Sequence, residues 1–260
     1  MKQGNEWGVA GRAVLFVVCS GVLLAVVSRW TKGTLVMGCV AALATLLLTM
    51  LFVRWERVTL ADVGAKLIRG SLWRFTTAFA FGLALPLLRA GIVMMATEVR
   101  YARVPGFPLE EVMLALATYI ALAAREELAF RGYPLRMLDR RFGVWTAQLM
   151  IAVLFALEHA IGGWTWWQAL SGSGVGALLF GSASLRTRGL AVPIGLHAAW
   201  NFGDAMLGGK GTPGLWRPVA DASATGRVEM TQWIAYILIM VTATATIWLW
   251  PRGTAETVEG

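Results

Sequence analysis

The sequence predicts an all-α fold, a polytopic bundle of about eight transmembrane helices. Hydrophobic residues make up 57% of the 260-residue chain and charged residues only 15%, whereas soluble domains carry about 25% charged residues. Apolar stretches of about 20 residues, the length that crosses the hydrocarbon core, recur along the chain. The composition therefore excludes a cytosolic enzyme, a disordered chain and a secreted disulfide scaffold.

The expected spans lie near residues 9–28, 34–53, 74–97, 110–133, 143–161, 166–185, 189–207 and 231–250. The first of these resembles a signal peptide, but it is too long and a second span follows at once, so we expect it to be retained. We expect one transmembrane domain over residues 1–260, with two N-terminal spans in 1–57 and a motif-bearing catalytic core in 110–205.

Two segments between the spans have a distinct character. Residues 58–73 mix apolar and cationic positions, a pattern that favours an amphipathic helix lying on the inner interface. Residues 208–229 are rich in glycine and are expected to form an outer loop.

The positive charges predict the orientation. The net charge is +8, and the 23 Lys and Arg residues are scattered between apolar segments. Fourteen fall on the side of the termini and seven on the other, with Arg89 and Arg125 inside spans. This asymmetry predicts cytoplasmic termini, and we expect a bacterial inner (plasma) membrane. We expect the lipid bilayer as a partner and no nucleic acid, because the charges form no patch in the sequence.

Ionisable side chains inside a span are costly and usually functional. Here they concentrate in three spans: Arg125, Glu126, Glu127 and Arg131 in the fourth, Glu158 and His159 in the fifth, and His197, Asn201 and Asp204 in the seventh. The three polar residues of the seventh span follow an i, i+4, i+7 spacing and therefore project from one helical stripe.

Two neighbouring carboxylates on the fourth span are expected to have different roles. Glu127 lies four residues before Arg131, in the order that favours an ion pair within a helix. Glu126 is rotated by about 100° from Glu127 and cannot share that pair equally. We therefore expect Glu127 and Arg131 to be structural and Glu126 to be free for chemistry.

The distances of Glu126 and His159 from the expected turn predict that the two side chains lie at the same height in the membrane. If the chain turns near Phe142, Glu126 lies 16 residues before the turn and His159 lies 17 after it. Antiparallel arms of equal length place these side chains at one height, as a catalytic pair requires. A single histidine within the membrane can be explained by a hydrogen bond that holds two helices together. Two histidines together with Glu126 and Asn201, on three helices, favour a site.

These residues form three motifs, EExxxR, FxxxH and HxxxN. They read Glu126-Glu127-Leu-Ala-Phe-Arg131, Phe155-Ala-Leu-Glu-His159 and His197-Ala-Ala-Trp-Asn201. In order and spacing they resemble the signature of the CPBP family (Abi, or CAAX prenyl protease 2-like) of intramembrane glutamic endopeptidases. The resemblance covers about residues 110–205 and departs from the signature at no position.

The resemblance implies an activity and a role for each residue. Glu126 with His159 would activate a water as general base, and His197 with Asn201 would stabilise the oxyanion. Glu127 and Arg131 would support the fourth helix. The reaction would be hydrolysis of a peptide bond in a membrane-associated or lipidated peptide or protein, with no metal and no other cofactor.

Two alternatives stay open at this point. A glutamate and two histidines could bind Zn²⁺ in a zinc-dependent intramembrane protease, although there is no HExxH and asparagine is a poor ligand. The same fold could instead be a non-proteolytic membrane scaffold or an immunity protein. A proton-coupled transporter would be expected to show inverted repeats, which the sequence does not reveal.

Overall fold

The structure is a computed structural model that describes residues 6–211 and 213–250. Its helices are α1 Glu6–Trp30, α2 Thr34–Glu56, α3 Ser71–Ala96, α4 Leu109–Glu127, α5 Tyr133–Phe142, α6 Val144–Ile161, α7 Trp166–Gln168, α8 Val175–Thr187, α9 Ala191–Met206 and α10 Thr225–Leu249. Two π-helical turns, Leu128–Gly132 and Ala169–Gly174, continue α4 into α5 and α7 into α8. A 3₁₀ turn, Ala222–Ala224, precedes α10.

A two-stranded ribbon joins the segments that follow α3 and α9. Strands β1 (Arg100–Arg103) and β2 (Trp216–Val219) pair antiparallel, with Arg100 opposite Val219. Strand β2 therefore lies inside the segment 208–229 that was expected to be a loop, and α10 begins before residue 231, the expected start of the last span.

The helical bundle confirms the predicted fold class, since each of the eight predicted spans coincides with a helical segment. Among the described residues, five segments are long and apolar enough to cross a membrane: Gly8–Trp30, Thr34–Glu56, Ser71–Ala96, Val144–Ile161 and Ala222–Leu249. The other three contain a π-helical turn or are shorter. The predicted side of the termini involves Lys2 and Arg252, which lie outside the described residues.

The predicted interfacial helix over 58–73 is wrong, because α3 begins only at residue 71 and turns precede it. The Thr59 backbone N–H and hydroxyl donate to Asp62 Oδ2 at 2.8 and 2.7 Å. Such side-chain bonds compete with helical ones. Gly64 has φ +71°, outside the right-handed helical region. The bonds from Thr59, together with Arg140, lower the pKa of Asp62 to about 2.

Helices α3 and α9 pack with their backbones in close approach. Both carry small or compact residues at every fourth position, namely Ala78, Gly82, Pro86 and Ala90 on α3 and Gly195, Ala199 and Gly203 on α9. A Cβ atom on Gly195 would lie 2.5 Å from the Phe75 carbonyl oxygen, and one on Gly203 would lie 2.6 Å from Cγ of Pro86. Small residues at this spacing allow membrane helices to approach closely. The contact therefore determines the rotation and depth of α9.

The helices that carry the motifs, α4, α6 and α9, each pack against other helices of the bundle. Helix α4 packs against α2 on one side and α9 on the other, and α6 packs against α5 and α8. One hydrophobic core, which includes Val17, Phe130, Leu135, Ile151 and Phe155, lies among α1, α5 and α6 and the π-helical turn after α4. The helices that carry the predicted motifs therefore lie in the interior of the bundle.

Replacing Gly195 tests the close approach of α3 and α9. We expect Gly195→Ala to lower the free energy of unfolding by about 1–3 kcal/mol, because the added methyl group overlaps the α3 backbone. Gly91→Ala on α3 is the matched control, since its Cβ would have no neighbour within 4 Å. Thermal unfolding of the purified protein in detergent compares the two. Equal stability of both variants would contradict the packing argument.

Candidate active site

The four candidate catalytic side chains line one cavity of about 580 Å³. They are Glu126 on α4, His159 on α6, and His197 and Asn201 on α9. The turn predicted near Phe142 is present, since α5 ends there and α6 begins at residue 144. The arm that leads to this turn is interrupted by a π-helical turn, whereas the sequence argument treated it as one continuous helix.

Glu127 has no solvent exposure and contacts two cationic or proton-donating side chains. Its Oε1 accepts a hydrogen bond from His197 Nδ1 at 2.8 Å and lies 3.3 Å from Nη1 of Arg131. The pair with Arg131 is the one that the i, i+4 spacing predicts. The bond to His197 was not predicted, and it links the first motif on α4 directly to the third motif on α9.

Arg131 is completely buried in a cage of aromatic rings. Its guanidinium carbon lies 5.8, 4.3 and 5.7 Å from the ring centroids of Phe130, Phe155 and Phe180. Within the described part of the chain, none of its three guanidinium nitrogens has a hydrogen-bond partner. Cation–π attraction is strongest in such water-free surroundings. The phenylalanine of the second motif therefore packs against the arginine of the first.

His197 is oriented from two sides. Its Nδ1 donates to Glu127, and its ring stacks on Phe180 with the centroids 4.4 Å apart and the planes 13° apart. Its other nitrogen, Nε2, lies 3.6 Å from Oε2 of Glu126. Because Nδ1 carries a proton, Nε2 is an acceptor in the neutral ring and a donor only when the ring is doubly protonated.

His159 is oriented by its own helix. Its Nδ1 donates to the Phe155 carbonyl oxygen at 2.9 Å, one turn earlier in α6. The ring contacts Phe155 and Trp164 edge-on, at centroid distances of 4.5 and 4.9 Å. A carbonyl oxygen can only accept, so the proton lies on Nδ1 and Nε2 of the neutral ring is a base.

Asn201 is oriented by a residue that the sequence argument treated as an outer-loop charge. Lys210 Nζ donates to Asn201 Oδ1 at 2.9 Å and lies 3.7 Å from Oδ2 of Asp204. Asp204 also forms an ion pair with Arg89. Because the amide oxygen of Asn201 is engaged by Lys210, its NH₂ group is left to donate elsewhere.

The chain reversal after α9 brings Lys210 back to the cavity. Gly208 has φ +77°, a value that glycine adopts at little cost. A Cβ atom on Gly209 would collide with the carboxylate of Asp204. The sequence signal for this arrangement is the Gly-Gly-Lys run at residues 208–210, which begins seven residues after Asn201.

Glu158 has a partner that explains its position beside His159. Arg125, only 1% exposed, forms an ion pair with Glu158, and its Nη2 lies 2.9 Å from Oε2. Nη2 also lies 3.5 Å from the hydroxyl of Ser20. This pair joins α4 to α6 one residue away from Glu126 and His159.

Comparison with known proteins identifies the segment that holds this cavity. Residues 108–203 match the family described as "Rce1-like: Type II CAAX prenyl endopeptidase Rce1-like". This segment of the chain is similar to that family. No match was found among curated proteins. At the family level, this similarity supports a CAAX-protease-like membrane endopeptidase, in agreement with the resemblance of the motifs.

The Rce1-like segment contains all three motifs, since it begins just before α4 and ends inside α9. Lys210 lies beyond the matched residues, and Arg89 lies before them. In residues 6–211 and 213–250, no group of three or more His, Cys, Asp or Glu side chains is arranged to hold a metal ion.

Removing the arginine of the first motif tests the buried ion pair of the Rce1-like site. We expect Arg131→Met to lower the free energy of unfolding by about 3–5 kcal/mol, because it leaves a buried carboxylate without its cation. Adding Glu127→Gln to that variant removes the unpaired charge and should restore part of the loss. Denaturation in detergent measures both variants.

Arg140→Met is the control for this experiment. Its ion pair with Asp62 is 45% and 40% exposed, and exposed pairs contribute about 1 kcal/mol or less. If the loss for Arg131→Met were as small as that for Arg140→Met, the ion pair would not support the helix.

Proposed function

We propose that the protein is a glutamic intramembrane endopeptidase in which Glu126 and His159 activate a water, and His197 and Asn201 stabilise the oxyanion. The observation that carries this proposal is the convergence of these four side chains, from three helices, on one cavity of about 580 Å³. Carboxylates, imidazoles and an amide in a largely apolar interior are the groups that hydrolysis of a peptide bond requires.

In the proposed hydrolytic step, Glu126 accepts a proton from the water and returns it to the leaving group. A water hydrogen-bonded to Glu126 and to His159 Nε2 attacks the carbonyl carbon and gives a proton to Glu126. The carbonyl π electrons move to oxygen, and a tetrahedral intermediate forms. When the C–N bond breaks, Glu126 returns the proton to the leaving amine, so that the carboxylate is regenerated.

The oxyanion of the intermediate is stabilised by donors on α9. Asn201 offers its NH₂ group, because Lys210 occupies its oxygen. His197 offers an Nε2–H when its ring is protonated, and the buried carboxylate of Glu127 balances the resulting positive charge. Donors held in position before the reaction lower the barrier because they need no reorganisation.

The proposed substrate is a membrane-associated or lipidated peptide or protein, the general kind on which CAAX proteases act. Aromatic side chains, including Phe155, Trp164, Trp200 and Trp233, line the cavity beside the polar groups. Such walls suit an apolar group next to a polar peptide bond. We further propose that both termini lie in the cytoplasm of a bacterium and that no cofactor is required.

Glu126→Gln tests the general base. We expect its kcat to fall at least about 100-fold with an unchanged unfolding temperature, because an amide cannot accept the proton of the water. Cleavage of a panel of prenylated and unprenylated fluorogenic peptides by the detergent-purified protein, with and without a strong chelator, measures this. Glu110→Gln, an exposed change in the first turn of α4, is the matched control.

Three outcomes would contradict the proposal. Full cleavage by Glu126→Gln would remove the general-base assignment. Loss of wild-type cleavage on chelation would favour the zinc-dependent alternative. Peptide binding without cleavage by the wild type, across the whole panel, would favour the scaffold or immunity alternative.

Lys210→Met tests whether Lys210 positions Asn201. We expect kcat to fall about tenfold while KM changes less than about twofold, because a disordered oxyanion donor affects the transition state more than the ground state. Lys210→Arg, which keeps the donor and the charge, should restore most of kcat. Steady-state kinetics separate the two constants. Equal losses in Lys210→Met and Lys210→Arg, or a change confined to KM, would contradict a positioning role.

A further inference from the structure

Arginines that are far apart in the sequence surround a second cavity, of about 1060 Å³. They are Arg74, Arg136, Arg140, Arg186 and Arg188. Two carboxylates, Asp62 and Asp139, also line it, so the five positive charges exceed the negative ones by three among the described residues. The sequence shows these arginines as scattered, and the fold gathers them where α3 and α6 begin and α5 and α8 end.

This cavity is separate from the catalytic one. Val144, at the first residue of α6, lines the arginine cavity, whereas His159 near the last turn of α6 lines the catalytic cavity. At 1.5 Å per residue, the two positions are about 22 Å apart along the helix. Binding at the arginine cavity therefore does not depend on the proposed function.

Most hydrogen bonds of these arginines go to uncharged oxygens and hold the guanidinium groups without neutralising them. Arg136 Nη2 donates to the Ser184 carbonyl oxygen at 2.6 Å, and Arg74 Nη1 donates to that of Thr187 at 3.4 Å. Arg186 donates to the carbonyl oxygen at residue 250. Arg140 differs, since it pairs with a carboxylate.

The guanidinium of Arg136 is affected by burial and by repulsion from neighbouring arginines. Its Nε is buried and has no hydrogen-bond partner in the described part of the chain. Burial lowers the pKa of the Arg136 guanidinium, as do the positive charges of Arg140 and Arg188, while Asp139 raises it. An anion in the cavity would offset this repulsion.

The border of the cavity is apolar and aromatic. Leu185, Ile247, Trp248 and Trp250 line it, and the Arg186 guanidinium lies 5.7 Å from the Trp248 ring centroid. Tryptophan is enriched where membrane helices meet the headgroup layer. The occupant that matches both features carries a phosphate and an acyl chain.

We propose that this cavity binds the phosphate headgroup of an anionic membrane lipid. Guanidinium groups donate paired hydrogen bonds to phosphate oxygens, and basic pockets between helix ends suit such headgroups. The tryptophans at the end of α10 lie beside the acyl chains. A free phosphate has the same charge chemistry but makes no use of the apolar border.

Arg188 and Arg57 provide a matched pair for the test. Both end a helix in the left-handed conformation, with φ 54° and 57°, and both are exposed, but only Arg188 lines the cavity. Asparagine tolerates this conformation. Arg188→Asn and Arg57→Asn therefore remove one charge each with similar backbone consequences.

The experiment titrates short-chain phosphatidylglycerol into the full-length protein in neutral detergent and follows bound lipid by native mass spectrometry. We expect the apparent Kd for phosphatidylglycerol to be at least about tenfold lower than for phosphatidylcholine of the same chain length. Arg188→Asn should raise it about fivefold, and Arg74→Gln with Arg188→Asn about 25-fold, since each charge contributes about 1 kcal/mol. Arg57→Asn should leave it unchanged.

Inorganic phosphate distinguishes the two sources of the anion. If phosphate alone does not compete with the lipid, the lipid is the occupant. If it competes fully at equal concentration, the site is an anion site whose occupant is free phosphate. Equal affinity for the two lipids, or equal weakening by Arg188→Asn and Arg57→Asn, would overturn the proposal. Peptide cleavage is assayed separately, so its absence does not affect this result.

Discussion

The buried carboxylate of Glu127 is the constraint on which the site depends. A charge without solvent contact is costly unless partners compensate it, and here the partners are Arg131 on the same helical arm and His197 on α9. Arg131 in turn is enclosed by Phe155. One residue from each motif therefore takes part in a single cluster, which explains physically why the motifs occur together.

The position of α9 is supported from its other side by α3. Because the small-residue stripes leave no room between the two backbones, α9 cannot rotate without a collision at Gly195 or Gly203. This packing orients one side of α9 toward α3, and the stripe of His197 and Asn201 toward the cavity. Close packing of small residues, together with the ion pair between Arg89 and Asp204, thus determines the orientation of the polar groups.

Sequence reasoning reached the order of the helical segments, the turn near Phe142 and the pairing of Glu127 with Arg131, because these depend on local sequence pattern. It did not reach the bond between Glu127 and His197, since contact between two helices depends on how each is rotated by a third. Lys210 was missed because it returns to the cavity only through a reversal of the loop. The helix expected over 58–73 failed because local hydrogen bonds at Thr59 compete with helix formation.

The apolar helices α1 to α3 precede the charged helix α4 in the chain, and this order affects how the protein inserts into a membrane. The first three helices are synthesised before α4 and are long and apolar enough to cross a membrane. Helix α4 follows with Arg125, Glu126 and Glu127, and charged residues such as Arg cost about 2.5–3.5 kcal/mol each at the centre of an inserting helix. Partners for these charges on α6 and α9 are synthesised later. Glu127 and Arg131 are synthesised together, but Arg125 and Glu126 meet Glu158 on α6 and His197 on α9 only once α9 is complete, so a truncated nascent chain leaves these two charges without those partners.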